Sequence, residues 1–188
     1  MSITAHRRAS RQRAAAALTL GMALGGATRS ATADQALSVG AGWAAYSTLG
    51  EPPAPMKAPP TLTSTLGGHV EGTYEHGISP EVSLRAELAG ALFSGDGWSY
   101  AALADAGAVY RFDVIKYVPY GFAGLGAVAR GGGPLDGALE PVVVIGGGLD
   151  VLRSRTQSWG LEARLASFAG DTTVFTLGLR ASTRWGFF

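Results

Sequence analysis

The chain has 188 residues, of which 28 are glycine and none is cysteine. Because glycine weakens helix interiors, this glycine content disfavours a helical fold. The lack of cysteine excludes a fold stabilised by disulfide bonds and a cysteine-ligated metal site. Fifteen basic and fourteen acidic residues give a net charge of +1, which excludes the strongly basic balance typical of nucleic-acid-binding domains.

The beginning of the chain has the pattern of a cleavable secretory signal. Arginines between Arg7 and Arg13 precede a small apolar run at 14–27, and Ala31-Thr32-Ala33 provides an A-x-A cleavage site. The apolar run is shorter than the ~20 residues that a membrane-spanning helix needs. We therefore expect residues 1–33 to be a signal peptide.

Residues 34–188 are expected to form one exported domain. Five of the fifteen basic residues lie in 1–33, so residues 34–188 hold ten basic and fourteen acidic residues. This balance makes nucleic acid an unexpected partner.

Eight strands are predicted in this domain from alternating polar and apolar residues. No convincing 3.6-residue pattern is found beyond the signal. The predicted strands are 36–48, 65–76, 81–93, 99–112, 117–129, 140–152, 158–168 and 173–187. Their spacing of about 19 residues suits strands that cross an outer-membrane hydrocarbon layer, whereas strands of a soluble sandwich recur every 8 to 12 residues or so.

The alternation separates two faces clearly in the third, fourth, seventh and eighth strands. In the third strand, Leu84 and Leu88 share one face and Arg85 and Glu87 share the other. The apolar faces are expected to contact lipid. The fifth and sixth strands are less informative, and their direction is assigned from the parity of Glu140 and Asp150 with the lumen.

Aromatic residues near the strand ends are expected to form girdles at the membrane interfaces, where amphipathic rings prefer to lie. Cross-strand packing in a soluble sheet is the alternative. The residues concerned are Trp43, Tyr46, Tyr74, Tyr100, Tyr110, Phe112, Tyr117, Tyr120, Trp159, Trp185 and Phe187.

The connections are expected to alternate between short periplasmic turns and outer loops. Periplasmic turns are predicted near 77–80, 113–116 and 153–157, and outer loops at 49–64, 94–98, 130–139 and 169–172. The first outer loop contains five prolines, which keep it extended and outside the sheet. It is the best candidate for contact with a surface ligand.

The domain resembles the small eight-stranded outer-membrane barrels of the outer-membrane protein A and X type. The resemblance rests on the export signal, the strand spacing, the segments 110–113 and 118–126, and the terminal Phe188. It implies an all-β, antiparallel up-and-down transmembrane barrel in the outer membrane, with outer-membrane lipids as partners.

The resemblance also implies an assembly signal at the end of the chain. In such families a terminal aromatic residue helps the barrel-assembly machinery to recognise the chain, with apolar residues at alternate positions before it. Here the alternation runs through Trp185 and Phe187, one residue out of step with Phe188. These three residues are the predicted assembly signal.

Strand parity assigns a set of opposite charges to the barrel interior, with His69 nearby. An eight-stranded barrel is only wide enough inside for side chains to fill it, so paired charges are expected to form a structural plug. A wet lumen with weak pairs is the alternative. The predicted lumen residues are Glu71, Glu75, Arg85, Glu87, Asp105, Arg111, Asp150, Glu162, Arg164, Arg180 and Arg184.

The sequence therefore predicts a largely closed outer-membrane barrel with a structural or surface-interaction role, without cofactor, metal or enzymatic activity. Alternatives are a small porin-like channel, a lipid-modifying enzyme and a soluble secreted β-sandwich that binds a ligand. The enzyme would need His69 as base, Glu71 to orient it, and Ser94 or Ser99 as nucleophile. The glycine clusters at 131–133 and 146–148 open no helix and so are not phosphate-binding loops. The first is interpreted as a loop and the second as strand positions that allow close packing, curvature or a bulge.

Overall fold

A computed structural model describes residues 34–49, 62–95, 97–112, 116–132, 137–168 and 172–186. The predicted signal peptide, most of the proline-rich loop, and Phe187 and Phe188 lie outside these residues. Within the described part of the chain, no helix is long and apolar enough to cross a membrane.

Eight antiparallel strands form one closed barrel in which every strand pairs with its neighbours in sequence and β1 pairs with β8. All backbone groups of the ladder can therefore pair, and no sheet edge is left open. The strands are β1 Gln35–Leu49, β2 Leu62–Gly77, β3 Val82–Gly95, β4 Gly97–Arg111, β5 Tyr117–Gly131, β6 Ala138–Leu152, β7 Gln157–Phe168 and β8 Thr172–Trp185. The predicted all-β up-and-down barrel is confirmed, with each strand shifted by only a few residues.

The two ends of the barrel differ in their connections. One end holds Asp34 and Gly186 together with short turns between β2 and β3, β4 and β5, and β6 and β7; we call it the terminal end. The opposite end, the loop end, holds the other four connections. The outer loop predicted at 94–98 is too long. β3 ends at Gly95 and β4 begins at Gly97, so one residue separates the two strands.

Local hydrogen bonds close the turns at the terminal end. The amides of Ile78 and Ser79 both donate to the Val82 carbonyl, at 2.8 and 3.0 Å, and the Val82 amide donates to Ser79 Oγ. Glu81, the first residue of the predicted third strand, lies exposed in this turn instead.

The outer surface carries a belt of exposed apolar side chains. Leu88, Leu125 and Leu179 are 70%, 69% and 60% exposed. A water-soluble protein does not present so large an apolar surface, whereas a membrane barrel presents it to lipid. Other members of the belt are Leu37, Val39, Val70, Leu84, Leu92, Val143, Ile145, Leu161, Leu165, Phe175 and Leu177.

Most of the predicted girdle aromatics lie on this outer surface, among them Tyr110 and Trp159. Two predictions are wrong: Tyr46 and Tyr120 are buried inside the barrel. Tyr46 is an odd number of residues from the outward-facing Trp43, so both cannot face lipid.

An arginine on the belt tests these face assignments. Leu88 lies at the middle of β3 and Leu84 near its terminal end, so Leu88→Arg is expected to cost about 2 to 4 kcal/mol and Leu84→Arg about 0 to 1 kcal/mol. The measurement is urea-induced unfolding of each variant in lipid vesicles. Equal and negligible costs would show that this face does not contact lipid.

Candidate functional site

The barrel interior is the candidate functional site, and it is divided into two layers. A charged layer occupies the centre and the terminal end, and it consists of the eleven residues predicted for the lumen. An apolar layer occupies the loop end and consists of Ala44, Tyr46, Ala91, Phe93, Ala101, Leu103, Val128, Val142, Val144, Ala166, Phe168 and Val174. Alternate positions on the strands supply both layers.

Arg180 on β8 lies at the centre of the charged layer. Its guanidinium is 2.8 Å from Glu162 Oε2, 3.2 Å from Glu75 Oε1 and, through Nε, 3.6 Å from Asp150 Oδ1. The side chain of Arg180 is 2% exposed. Three carboxylates from β2, β6 and β7 thus surround one buried cation, which compensates for part of the cost of removing these charges from water.

Tyr120 on β5 completes the surroundings of Arg180. Its hydroxyl donates to Glu162 Oε2 at 2.7 Å and accepts from Arg180 Nη1 at 3.1 Å. The Arg180 guanidinium carbon is also 4.9 Å from the centre of the Tyr120 ring, a cation–π distance. Sequence reasoning missed this residue, although the register that pairs Val118 with Asp150 places it on the lumen face.

Arg85 on β3 is a second centre of the charged layer. It makes two hydrogen bonds to Glu162, at 2.6 and 3.0 Å, and one to Glu87 at 2.6 Å. The Phe122 ring lies 4.0 Å from its guanidinium carbon. Glu162 therefore bridges Arg85 and Arg180.

The ion pairs continue from Glu87 toward the loop end. Arg164 contacts Glu87 and is 3.5 Å from Glu71. His69 Nε2 is 3.6 Å from the Glu71 carboxylate, and its Nδ1 is 3.2 Å from the Trp43 carbonyl. His69 is therefore held between a carboxylate and the backbone of β1.

Two further arginines close the charged layer toward the terminal end. Arg184 is 3.2 Å from Asp150, and Arg111 contacts Glu75 and donates to Ser83 Oγ at 2.7 Å. Ten of the eleven predicted lumen residues thus make ion pairs within one connected cluster.

Asp105 is the exception. It is buried, but among the described residues it makes no ion pair and its Oδ2 has no hydrogen-bond partner. Leu103, two residues nearer the loop end on β4, belongs to the apolar layer. Asp105 therefore lies at the boundary between the two layers.

Glycines on the inner wall make room for the large lumen side chains. A Cβ at Gly148 would lie 2.4 Å from the Tyr120 hydroxyl, and one at Gly146 would lie 2.4 Å from the Phe122 ring. On β1, a Cβ at Gly40 would come within 2.6 Å of the Glu71 carboxylate. The interpretation of 146–148 as strand positions is confirmed, and of its three alternatives Gly146 and Gly148 fit close packing.

The apolar layer fills the loop end of the lumen. Phe93 is fully buried, and the Tyr46 ring packs on it edge to face with centroids 4.9 Å apart. Arg130 and Glu140 form a partly exposed pair at 2.9 Å beyond this layer. A cavity of about 30 Å³, large enough for a water molecule, remains between the apolar side chains and Arg164.

The geometry does not assemble the enzymatic site considered from the sequence. Among the described residues, the partners of His69 are Glu71 and a backbone carbonyl, and neither Ser94 nor Ser99 contacts it. Within the same residues, no group of three histidine or acidic side chains could hold a metal ion.

Of the predicted assembly signal, only Trp185 lies in the described part of the chain. It is the last residue of β8, faces outward, and donates through Nε1 to Gln35 Oε1 at 2.9 Å. Phe187 and Phe188 lie outside the described residues.

Several solved structures superpose on this fold, and bacterial outer-membrane proteins are among them. Neisserial surface protein A superposes with a TM-score of 0.64 at 11% identity, over 80% of this chain and 97% of that chain. Ail, the attachment invasion locus protein of Yersinia pestis, gives a TM-score of 0.52 at 17% identity, over 81% and 99% of the two chains. The outer membrane protein OprG from Pseudomonas aeruginosa gives 0.52 at 10% identity, over 81% and 96%.

No family model and no curated protein sequence matches the chain. The resemblance to small eight-stranded outer-membrane barrels is confirmed at the level of the fold.

Removal of the central cation tests the energetic role of the charged layer. Arg180→Met is expected to lower the free energy of unfolding by about 3 to 5 kcal/mol, because it leaves buried carboxylates without their partner. The matched control is Arg130→Met, which breaks a partly exposed pair and is expected to cost about 0 to 1 kcal/mol. Urea titration of both variants in the same vesicles measures the difference, and equal costs would contradict a dry, paired interior.

Proposed function

We propose that residues 34–188 form an integral outer-membrane barrel that is closed to solutes and has a structural or surface-interaction role. The observation that supports closure most directly is the filling of the lumen by two successive layers, one of paired charges and one of apolar side chains. The apolar belt on the exterior supports the membrane location.

The two layers oppose ion passage for different physical reasons. In the charged layer, Arg180 and Arg85 already hold the carboxylates that a cation would need, so a permeating ion would have to break buried pairs. In the apolar layer, Phe93 and Val144 are fully buried and offer no ligands to replace an ion's hydration shell. A solute would have to displace both layers.

The limits of the mature domain are part of the proposal. The first described strand begins at Gln35, two residues after the expected cleavage site at Ala33, and pairs at once with both β2 and β8. An export signal ending at Ala33 would release the chain where its barrel begins. Trp185, Phe187 and Phe188 are proposed to be read by the barrel-assembly machinery.

A surface-interaction role would use the connections at the loop end. A barrel whose interior is filled and whose outer wall faces lipid offers a partner outside the membrane only its rims and its loops. The connection between β1 and β2, residues 50–61, is the longest at this end and carries the proline-rich sequence. It is the proposed contact surface.

Electrical recording tests whether the barrel is closed. Purified protein that shows the heat-dependent gel shift of a folded barrel is expected to produce no discrete conductance steps in planar lipid bilayers. A boiled sample provides the control for contaminating pores. Reproducible steps whose size changes in an Arg180→Gln variant would replace this proposal with the small porin-like channel.

Proteolysis of intact cells tests which way the barrel faces. Trypsin is expected to cut after Lys57 in the proposed outer loop and to spare Lys116, Arg153 and Arg155 at the terminal end until the envelope is permeabilised. Lys57→Gln, which removes the outer site alone, serves as the matched control. Cleavage at the terminal-end sites in intact cells would mean that the orientation is reversed, and recovery of the chain in a soluble fraction would contradict the membrane location.

A further inference from the structure

A groove runs along the outer surface where β7, β8 and β1 meet. The register places Ala181 between Trp159 and Val39, and the next row toward the terminal end places Thr183 between Gln157 and Leu37. The small side chains of β8 therefore form a floor, and the larger side chains of its neighbours form two walls.

The groove is continuous over about one membrane leaflet. The groove has a lower section of about 360 Å³ at the terminal end and an upper section of about 370 Å³ nearer the middle of the strands. The two sections share Val39, Trp159 and Ala181. From Thr183 to Leu179 the groove spans five residues of β8. The four steps between them cover about 14 Å of strand, which is near half of the ~25 Å apolar band of an outer-membrane barrel. An extended acyl chain fits a groove of this length and polarity.

A free cation lies at the mouth of the groove. Arg153 lines its lower section together with Gln157, in a turn closed by hydrogen bonds from the Arg153 and Ser154 amides to the Gln157 carbonyl. Arg153 is exposed and makes no ion pair within the part of the chain that the structure describes. Trp159, the third residue of β7, lines the same section of the groove, and an indole ring near a strand end favours the membrane interface.

We propose that this groove binds one anionic phospholipid, with the headgroup phosphate on Arg153 and an acyl chain along Ala181 between Trp159 and Val39. Guanidinium groups bind phosphate oxygens through charge-assisted hydrogen bonds. The carboxylates of the two strands that flank the Arg153 turn, Asp150 on β6 and Glu162 on β7, face the lumen, where arginines hold them. The lipid would come from the leaflet at the terminal end. The inference rests on the membrane location and orientation proposed above.

The test uses the folded barrel in nanodiscs of equimolar phosphatidylglycerol and phosphatidylethanolamine, followed by native mass spectrometry of the lipids that remain bound in detergent. Wild-type protein is expected to retain one phosphatidylglycerol. Arg153→Gln is expected to reduce the ratio of retained phosphatidylglycerol to phosphatidylethanolamine about fivefold, because one basic side chain near an anionic lipid surface contributes a binding energy of that size. Ala181→Phe, which fills the floor, is expected to abolish retention.

Matched controls separate a local site from general attraction. Arg155→Gln removes the same charge from the same turn, and Leu177→Phe enlarges an outward residue of the same strand outside the groove; both are expected to retain lipid as the wild type does. Equal retention in Arg153→Gln and Arg155→Gln, or no preference between the two lipids, would overturn the proposed site.

The heat-dependent gel shift is recorded for every variant. If the wild type shows no shift, the membrane-barrel proposal itself fails. If all variants shift but none differs in lipid retention, only the lipid site fails.

Discussion

The contacts of Arg180 hold the barrel interior together, and much of the remaining structure depends on them. This one side chain from β8 bonds to Ser38 on β1, Glu75 on β2, Tyr120 on β5 and Glu162 on β7. Ladder hydrogen bonds join only adjacent strands. Ser38 and Glu162 lie on the two neighbours of β8, whereas the contacts with Glu75 and Tyr120 reach strands that do not pair with it. Because an unpaired ion inside the barrel is costly, the contacts also restrict the neighbouring sequence: inner-wall glycines such as Gly148 and Gly160 leave room for the side chains that surround the arginine.

The division of the lumen has a consequence for how the barrel resists water. Strong pairs alone leave a polar path, because carboxylates and guanidiniums can also bond to water. The apolar layer at the loop end offers water molecules no hydrogen-bond partners. Phe93, Val144 and Phe168 are nearly or wholly buried in this layer. The boundary falls at Asp105, which has an apolar neighbour in Leu103 and no ionic partner among the described residues. The ion pairs on the terminal side of Asp105 are therefore shielded from water at the loop end. In that environment each ion pair is stronger than it would be in water.

Much of this organisation could be predicted from the sequence, because alternation and charge report directly on which face of a strand is inside. Strand parity alone predicts Arg85, Glu87, Arg164 and Arg180 in the lumen, and all four side chains are buried there. Tyr120 was misplaced because aromatic residues suit both an interface and a packed lumen, and only the pairing of β5 with β6 distinguishes the two. The partner of each arginine was not predictable, since it depends on contacts across the barrel between residues such as Arg85 and Glu162, 77 positions apart.

The same charges that fill the lumen also fix the register of the strands. A shift of β8 by one residue would move Arg180 into lipid and Leu179 into the charged layer, because successive side chains face opposite sides of a sheet. An arginine near the bilayer midplane costs about 2 to 4 kcal/mol, and the carboxylates left behind by Arg180 would add about 3 to 5 kcal/mol. Together these costs approach the whole stability of a typical domain, about 5 to 15 kcal/mol. Glycine-rich strands such as β5 and β6 have weak register preferences of their own, so Asp150 and Tyr120, which bond to residues of β7 and β8, determine how those strands pair.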